Sequence, residues 1–173
     1  EADVFPSAIA QASTFDTEVV GEMTDIIRKQ MYYVGFRQAL SPVVDITRDP
    51  RWGRITETYG EDAALTSAMA SAFVKGIQGD ELKEGVLATA KHFAGHGITE
   101  GGLNMGRNIV SERDMREIHC KPFQCAITEA GLKSVMNSYC SVNGEPVVGS
   151  KKMLTDILRG EMGFQGFVVS DYL

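Results

Sequence analysis

The stretch GVLATAKHF, residues 85–93, sets the pattern on which the fold prediction rests. It is a short apolar run that ends in Lys91 and His92, as expected for a strand that is buried on both faces. Strands of this kind are typical of a parallel sheet covered by helices. Further runs of the same form are ALSPVVDI (39–46), LKSVMNSY (132–139) and GFVVSD (166–171).

Helical patterns precede and separate these runs. Residues 16–34 and a segment that begins near Asp62 carry apolar residues at helical spacing, and each has an aspartate that can cap its first turn. Two more predicted helices begin at Ser111 and Ser150, which are also capping residues. The resulting order, αβαβαβαβ, predicts an α/β fold with no internal domain boundary across residues 1–173.

Composition narrows the class of protein. The chain has 173 residues, of which 43% are hydrophobic and 23% are charged, and its net charge is -6. The length and composition suit a soluble globular protein with its own core. The negative charge argues against nucleic acid or an anionic membrane as a partner. Three cysteines without paired spacing predict free thiols rather than disulfides or a metal site, and no motif predicts a cofactor.

Each predicted strand ends in charged or hydrogen-bonding residues. Parallel α/β folds place their sites at the carboxyl ends of the strands, so we expect these side chains to meet on one rim. The residues are Asp45, with Arg48, Arg51 and Arg54 in the loop behind it, then Lys91, His92, Ser138, Tyr139 and Asp171.

Each of these residues also has a structural interpretation. Asp45 and Asp171 can cap the segments that follow their strands. Lys91 and His92 are adjacent, so their side chains alternate faces and reach one site only if the strand twists or bulges there. His96, in the glycine-rich loop that follows, is more typical of a structural histidine. The adjacent pair therefore predicts a β-bulge if both residues serve one site.

The residue types on this rim suit a sugar. Carboxylates and bidentate arginines bind pairs of hydroxyl groups, and an aromatic ring covers the apolar face of a pyranose. Cleavage of a glycosidic bond commonly uses two carboxyl groups. Lys91 and Arg54 near Asp171 would keep that carboxyl ionised, as a nucleophile requires. The rim therefore predicts a carbohydrate site with Asp171 as its candidate nucleophile.

Six segments together resemble glycoside hydrolase family 3, in order and over nearly the whole chain. The resemblance implies a (β/α)8 TIM-like barrel, of which about four βα units lie here, so we expect a partial barrel that is incomplete at both ends. The segments are FPSAIAQASTFDTE (5–18), SPVVDITRDPRWGRITETYGED (41–62), KHFAGHG (91–97), SERDMREIHCKPFQCAI (111–127), SVMNSYCSVNGEP (134–146) and LTDILRGEMGFQGFVVSD (154–171).

The resemblance also implies roles for single residues. Asp171, in the VVSD motif, corresponds to the nucleophile of a retaining, exo-acting mechanism with a covalent glycosyl-enzyme intermediate. Arg54, Lys91 and His92 correspond to residues that hold the sugar at the non-reducing end. Tyr139 corresponds to a tyrosine close to the nucleophile. The strand-end position alone adds a weaker candidate for substrate binding, and that residue is Asp45.

The loop ITEGGLNMG (98–106) decides the branch of the family, because it lacks the D-x-H motif of members that cleave N-acetylglucosamine units. The resemblance then implies a β-glucosidase-like enzyme that releases β-D-glucose from an oligosaccharide or from an aryl or alkyl glycoside. In that branch the acid/base glutamate comes from an α/β sandwich domain that follows the barrel. We therefore expect the rest of the barrel and that domain as partners, and secretion or a periplasmic location rather than the cytoplasm.

Two other functions stay open on the sequence. One is a sugar-binding or inactive barrel fragment, since the acid/base residue is missing from this stretch. The other is a metal hydrolase that uses Asp45, His92 and His96. A bound sugar or a bound metal would separate the two.

Overall fold

A computed structural model describes residues 3–172. Its strands are β1 (Gln38–Ala39), β2 (Leu87–Phe93), β3 (Arg107–Asn108), β4 (Ser134–Asn137), β5 (Ser141–Val142), β6 (Glu145–Pro146) and β7 (Phe167–Val169). The central sheet is open, parallel and four-stranded, in the order β1-β2-β4-β7. A smaller sheet has the order β3-β5-β6, in which β3 and β5 are parallel and β6 is antiparallel. Within the described residues the outer edges of β1 and β7 carry no further strand. The predicted α/β class and parallel sheet are confirmed.

Helices alternate with the strands of the main sheet, and α3 packs against α2, α5 and β2. The helices are α1 (Ala8–Ala12), α2 (Thr17–Tyr33), α3 (Ala63–Gln78), α4 (Glu112–Asp114), α5 (Lys121–Ala130) and α6 (Lys152–Glu161), the last wound in the wider π form. A π turn covers Met115–His119, and short 3₁₀ turns cover Ile55–Glu57, Leu82–Glu84, His96–Ile98, Glu100–Gly102 and Val147–Gly149.

The ends of the two long helices follow local signals. The carboxylate of Asp16 accepts hydrogen bonds from the N–H groups of Glu18 and Val19, and this caps the first turn of α2. Asp62 caps α3 in the same way, through the N–H of Leu65. Gly79 follows α3 at φ +65°, a conformation that favours glycine. The predicted starts and stops of both helices are confirmed to within a residue or two.

The first strand is much shorter than predicted. Residues 39–46 were expected to form it, but the regular ladder ends at Ala39. Pro42 has no N–H to donate, which interrupts the ladder. The segment nevertheless stays beside β2, because the N–H of Lys91 donates to the carbonyl of Pro42 and the N–H of Val44 donates to the carbonyl of Lys91. It therefore still delivers Asp45 to the carboxyl edge of the sheet.

The helix predicted from Ser111 onward is divided. Ser111 caps it as expected, since its Oγ accepts from the N–H of Asp114 at 3.0 Å. The chain then passes through the π turn, in which the N–H of Cys120 donates to the carbonyl of Met115. Pro122 lies in the first turn of α5, where its missing N–H costs no helical hydrogen bond. A proline within one continuous helix would kink it, but Pro122 instead begins a second helix.

A continuous apolar cluster lies between the sheet and the helices that cover it. Phe93 at the end of β2 and Phe123 in α5 are fully buried, and their rings meet edge to face with centroids 5.1 Å apart. The three cysteines are free and buried, as predicted. Along residues 3–172, no helix combines the length and the apolar character that a membrane crossing requires.

Candidate active site

A β-bulge at the end of β2 builds the centre of the site. Lys91 pairs with Met136 and Phe93 pairs with Asn137, so His92 is an extra residue with no partner in the register. The bulge turns His92 into the interior, where it is fully buried, while Lys91 stays half-buried at the rim. The bulge predicted from the adjacent Lys-His pair is confirmed.

Asp45 is bound to His92 rather than to the loop behind it. Its Oδ2 accepts from the backbone N–H of His92 at 3.1 Å and lies 2.7 Å from the ring Nδ1. The side chain of Asp45 is 0% exposed. Burial raises the pKa of the Asp45 carboxyl, but the charge and the hydrogen bonds of His92 outweigh it and leave the pKa below its usual value. Asp45 is therefore an ionised acceptor that caps nothing.

Asp171 presents one fixed and one unpaired oxygen. Its Oδ1 accepts from the Tyr139 hydroxyl at 2.9 Å and from the backbone N–H of Tyr172 at 2.8 Å. Within the described residues its Oδ2 has no hydrogen-bond partner, and the Nε2 of His92 lies 3.8 Å from it. The side chain is 6% exposed. The carboxylate is thus held in one orientation with an oxygen left for a ligand.

Two cations adjoin these acids. The guanidinium of Arg54 makes a two-pronged pair with Glu57, at 2.8 Å for both contacts. The pair with Glu57 raises the pKa of Arg54, and the charges of Asp45 and Asp171 raise it further. Burial lowers the pKa of Lys91, as does the charge of Arg54, while the same three carboxylates oppose this. These mutual effects place both cations in the field of Asp171.

A cluster of aromatic rings lies beside His92 in the interior of the site. The ring of His96 lies 4.5 Å from that of His92, 5.4 Å from that of Trp52 and 5.9 Å from that of Tyr139, between centroids. The Asn104 side-chain oxygen lies 3.1 Å from His96 Nε2 and accepts from Trp52 Nε1 at 3.4 Å. Burial lowers the pKa of His96, which favours its neutral ring. The cluster therefore supports the ring of His92 through its contact with His96.

The structure brings together most of the residues that the sequence singled out. Asp45, His92, Tyr139 and Asp171 form one chain of contacts, with Arg54 and Lys91 beside it. Their roles toward a substrate stay predictions.

Three other rim candidates have different partners. The hydroxyl of Ser138 lies 2.9 Å from the thiol sulfur of Cys140. Arg51 is exposed and pairs with Asp49 at 2.7 Å, and Arg48 is exposed as well. Trp52, the residue after Arg51, is buried.

Sequence reasoning missed two residues of the site. Glu57 follows Arg54 by three residues, a spacing that was available as a signal for an ion pair. Asn104 lies in the glycine-rich loop, and no local sequence pattern predicts that its amide contacts His96 and Trp52.

The metal-hydrolase hypothesis finds no geometric support. Across the part of the chain that the structure describes, His, Cys, Asp and Glu side chains form no group of three or more that could hold a metal ion. Asp45 and His92 face each other through a hydrogen bond, so the ring Nδ1 is not open to a cation.

Known proteins match this chain from end to end. The family model for the glycosyl hydrolase family 3 N-terminal domain matches residues 1–173. A β-xylosidase from Formosa agariphila is 42% identical, over 97% of this chain and 24% of that protein. The structure of a β-glucosidase from Listeria innocua in complex with glucose has a TM-score of 0.94 at 37% identity, covering 99% of this chain and 24% of that one.

A further structure is that of an exo-1,3/1,4-β-glucanase from a Pseudoalteromonas species. It has a TM-score of 0.94 at 39% identity, and covers 98% of this chain and 22% of that one. The chain therefore spans about a quarter of the length of the proteins it matches. The predicted partial (β/α) barrel and the predicted resemblance are confirmed, and the chain belongs to glycosyl hydrolase family 3.

Proposed function

We propose that residues 1–173 form part of the barrel domain of a longer, retaining, exo-acting β-glycosidase, with Asp171 as its nucleophile. The observation that carries this proposal is the geometry of Asp171. Oδ1 is held by Tyr139 and by backbone, while Oδ2 is unpaired and borders the buried wall of the site. A carboxylate in this state can attack without first breaking a hydrogen bond at its reacting oxygen.

The reaction is a double displacement. Asp171 Oδ2 bonds to the anomeric carbon, the glycosidic C–O bond breaks, and the leaving oxygen takes a proton from a general acid. Water then attacks the same carbon, loses its proton to that group, and frees Asp171. Arg54 and Lys91 lie in the field of the nucleophile, and in this proposal they bind sugar hydroxyls together with His92.

The general acid must come from elsewhere in the longer protein. Two other carboxylates adjoin Asp171 in the described chain, and both are committed: Asp45 is buried against His92, and Glu57 is paired with Arg54. We assign the acid/base to a glutamate of a following α/β sandwich domain. The relatives are about four times longer than this chain, which leaves room for such a domain.

The favoured substrate is a β-D-glucoside, either an oligosaccharide or an aryl or alkyl glycoside. The Listeria innocua protein, a β-glucosidase, supports this. The Formosa agariphila relative is a β-xylosidase, so a β-D-xyloside is the first competitor. Secretion or a periplasmic location stays a prediction of the sequence.

A second candidate function is sugar binding without turnover. It is favoured by one observation, that the described residues offer no free carboxylic acid beside Asp171. Under this proposal the full-length protein binds a glycoside at the same rim but releases no product.

Trapping the intermediate tests both proposals. The full-length protein is incubated with activated 2-deoxy-2-fluoro β-glucosides and, separately, with 2-deoxy-2-fluoro β-xylosides, then digested and analysed by mass spectrometry. We expect a sugar label on the peptide that contains Asp171, at a higher rate with the glucoside. A label on another carboxylate would overturn the assignment. Sugar binding without a label or hydrolysis would favour the second candidate.

A further inference from the structure

We propose that Asp45 is a positioning residue, which fixes the tautomer and the orientation of His92 so that the Nε2 of His92 faces Asp171 and the substrate. This rests on the proposed function, and it replaces the direct substrate contact that the strand-end position of Asp45 suggested.

Asp45 is buried behind His92, and therefore lies out of reach of a sugar that contacts the other edge of the ring. Its side chain is 0% exposed, against 6% for Asp171, and His92 lies between the two carboxylates. The Nδ1 of His92 is 2.7 Å from Asp45 Oδ2, and the Nε2 of the same ring is 3.8 Å from Asp171 Oδ2. Asp45 therefore contacts the reaction site through His92 rather than through the sugar.

The contact also sets which ring nitrogen carries a proton. Asp45 Oδ2 already accepts the backbone N–H of His92, so it acts as an acceptor. An ionised carboxylate has no proton to donate, hence Nδ1 of His92 is the donor in the 2.7 Å contact. In the neutral ring, Nε2 then carries the lone pair, and it can accept a hydrogen bond from a sugar hydroxyl beside Asp171.

Two further features hold the pair in register. The N–H of Val44 donates to the carbonyl of Lys91 at 2.8 Å, so the residues that precede Asp45 and His92 are joined directly. The His92 ring also packs against the His96 ring, with the two ring centroids 4.5 Å apart. A ring held at one edge and on one face has a single orientation available, which is the condition for catalytic positioning.

The first test reads the tautomer without using activity. The full-length protein is labelled with ¹⁵N-histidine, and the ring signals of His92 are assigned by their loss in His92→Gln. We expect the neutral ring to carry its proton on Nδ1 in the wild type. In Asp45→Ala the acceptor for Nδ1–H is lost, so we expect the proton to move to Nε2. A wild-type ring protonated on Nε2 would overturn the proposal, even if Asp45→Ala failed to fold.

The second test is a double-mutant cycle on glycoside hydrolysis. We expect Asp45→Ala to lower kcat/KM by about 100-fold, mainly through kcat, as for a misplaced catalytic contact. Because Asp45 acts through His92, the double variant Asp45→Ala, His92→Gln should match His92→Gln within about twofold. Additive losses would mean that Asp45 acts on its own, and would overturn the proposal.

Asp49→Ala is the matched control. It makes the same chemical change four residues away, at a carboxylate that pairs with exposed Arg51. It should leave kcat/KM and the His92 tautomer unchanged. If the wild type neither hydrolyses glycosides nor labels on Asp171, the proposed function fails, while the tautomer measurement still decides whether Asp45 sets the ring.

Discussion

Asp45 and Asp171 both follow parallel strands, yet their surroundings give them different chemistry. Asp45 uses one oxygen for two hydrogen bonds to His92, and its other oxygen is unpaired in the interior, with no exposed surface. Asp171 is held at one oxygen by Tyr139 and keeps the other unpaired at the edge of the site. Only Asp171 can reach an anomeric carbon, so a common position on the rim does not imply a common role.

Replacing Asp171 with asparagine should abolish turnover and leave folding largely intact. The amide oxygen can still accept from Tyr139, so we expect the thermal midpoint to change little. An amide does not form the glycosyl ester, and kcat should fall by about 10³-fold or more. The measurement is hydrolysis of an aryl β-glucoside by full-length variant and wild type. Near-normal kcat with a clear loss of stability would instead make Asp171 a structural residue.

Replacing Glu57 with glutamine should weaken substrate binding through Arg54. Glu57 holds two nitrogens of that guanidinium, which fixes the direction of the remaining one. Without the charged partner we expect kcat/KM to fall by about tenfold, or about 1.4 kcal/mol, chiefly through a higher KM. Glu100→Gln removes a comparable pair with exposed Arg107 and should change neither constant. Equal effects of the two variants would argue against a role for Glu57 at the site.

At the scale of elements, the glycine-rich loop is packed tightly on the loop after β1. A Cβ on Gly102 would lie 2.8 Å from the backbone nitrogen of Trp52 and 2.8 Å from the carbonyl carbon of Arg51. Neither backbone atom can move without carrying Trp52 away from His96. The close approach therefore couples the loop to the cluster of aromatic rings that supports His92.

Gly101 and Gly102 provide a matched test of this coupling. Both adopt φ +70°, so alanine at either position carries the same left-handed backbone cost of about 1–2 kcal/mol. A Cβ on Gly101 meets only the Leu103 side chain, at 4.0 Å. We expect Gly102→Ala to lower kcat/KM at least about tenfold further than Gly101→Ala, because Trp52 shifts. Equal losses in the two variants would mean that the loop acts only through its backbone conformation.

Local sequence signals predict the elements where the cause of the structure is itself local. Asp16 and Asp62 cap helices through neighbouring N–H groups, and both helix starts were predictable. The early end of β1 depends on Pro42. This proline was a local signal against a long strand, but the strand prediction followed the apolar residues around it instead. The bulge at His92 was foreseen because two adjacent site residues require one.

The parts of the site that escaped prediction depend on contacts distant in sequence. The contact between Asp45 and His92 joins residues 47 positions apart, and that between Trp52 and Asn104 joins residues 52 apart. The sequence placed Asp45 on the rim, but it could not show that the carboxylate turns inward to a histidine. Burial decides between substrate contact and positioning, and burial depends on packing across the whole sheet.

At the scale of the molecule, the sheet has two open edges in the described residues, and its relatives are about four times longer. The site nevertheless lies at one edge of this sheet: β2 supplies Lys91 and His92, and Asp45 and Asp171 come from segments on either side. The charge of Asp45 is buried in the fold, so its ionisation affects the stability of the whole.

That ionisation should make stability depend on pH in the acid range. The pKa of the Asp45 carboxyl is 3.8 when solvated and lower in the folded protein, because the charge and hydrogen bonds of His92 outweigh the effect of burial. A lowered folded-state pKa gives stability that is present above the unfolded value and is lost as the pH falls through the folded value. We expect the stability difference between wild type and Asp45→Asn to change steeply as the pH falls below 3.8, with the wild type losing more.

Thermal midpoints of the full-length proteins at a series of pH values measure this difference, with Asp49→Asn as the control. Hydrogen bonds from Arg51 lower the pKa of Asp49 to about 2, but that pair is exposed to solvent. At about 1 M salt the Debye length is about 3 Å, so any pH-dependent effect of Asp49→Asn should disappear. The effect of Asp45→Asn should persist, since salt does not enter a fully buried contact. Loss of both effects at high salt would place the Asp45 carboxylate in contact with solvent and contradict the buried pair on which its role depends.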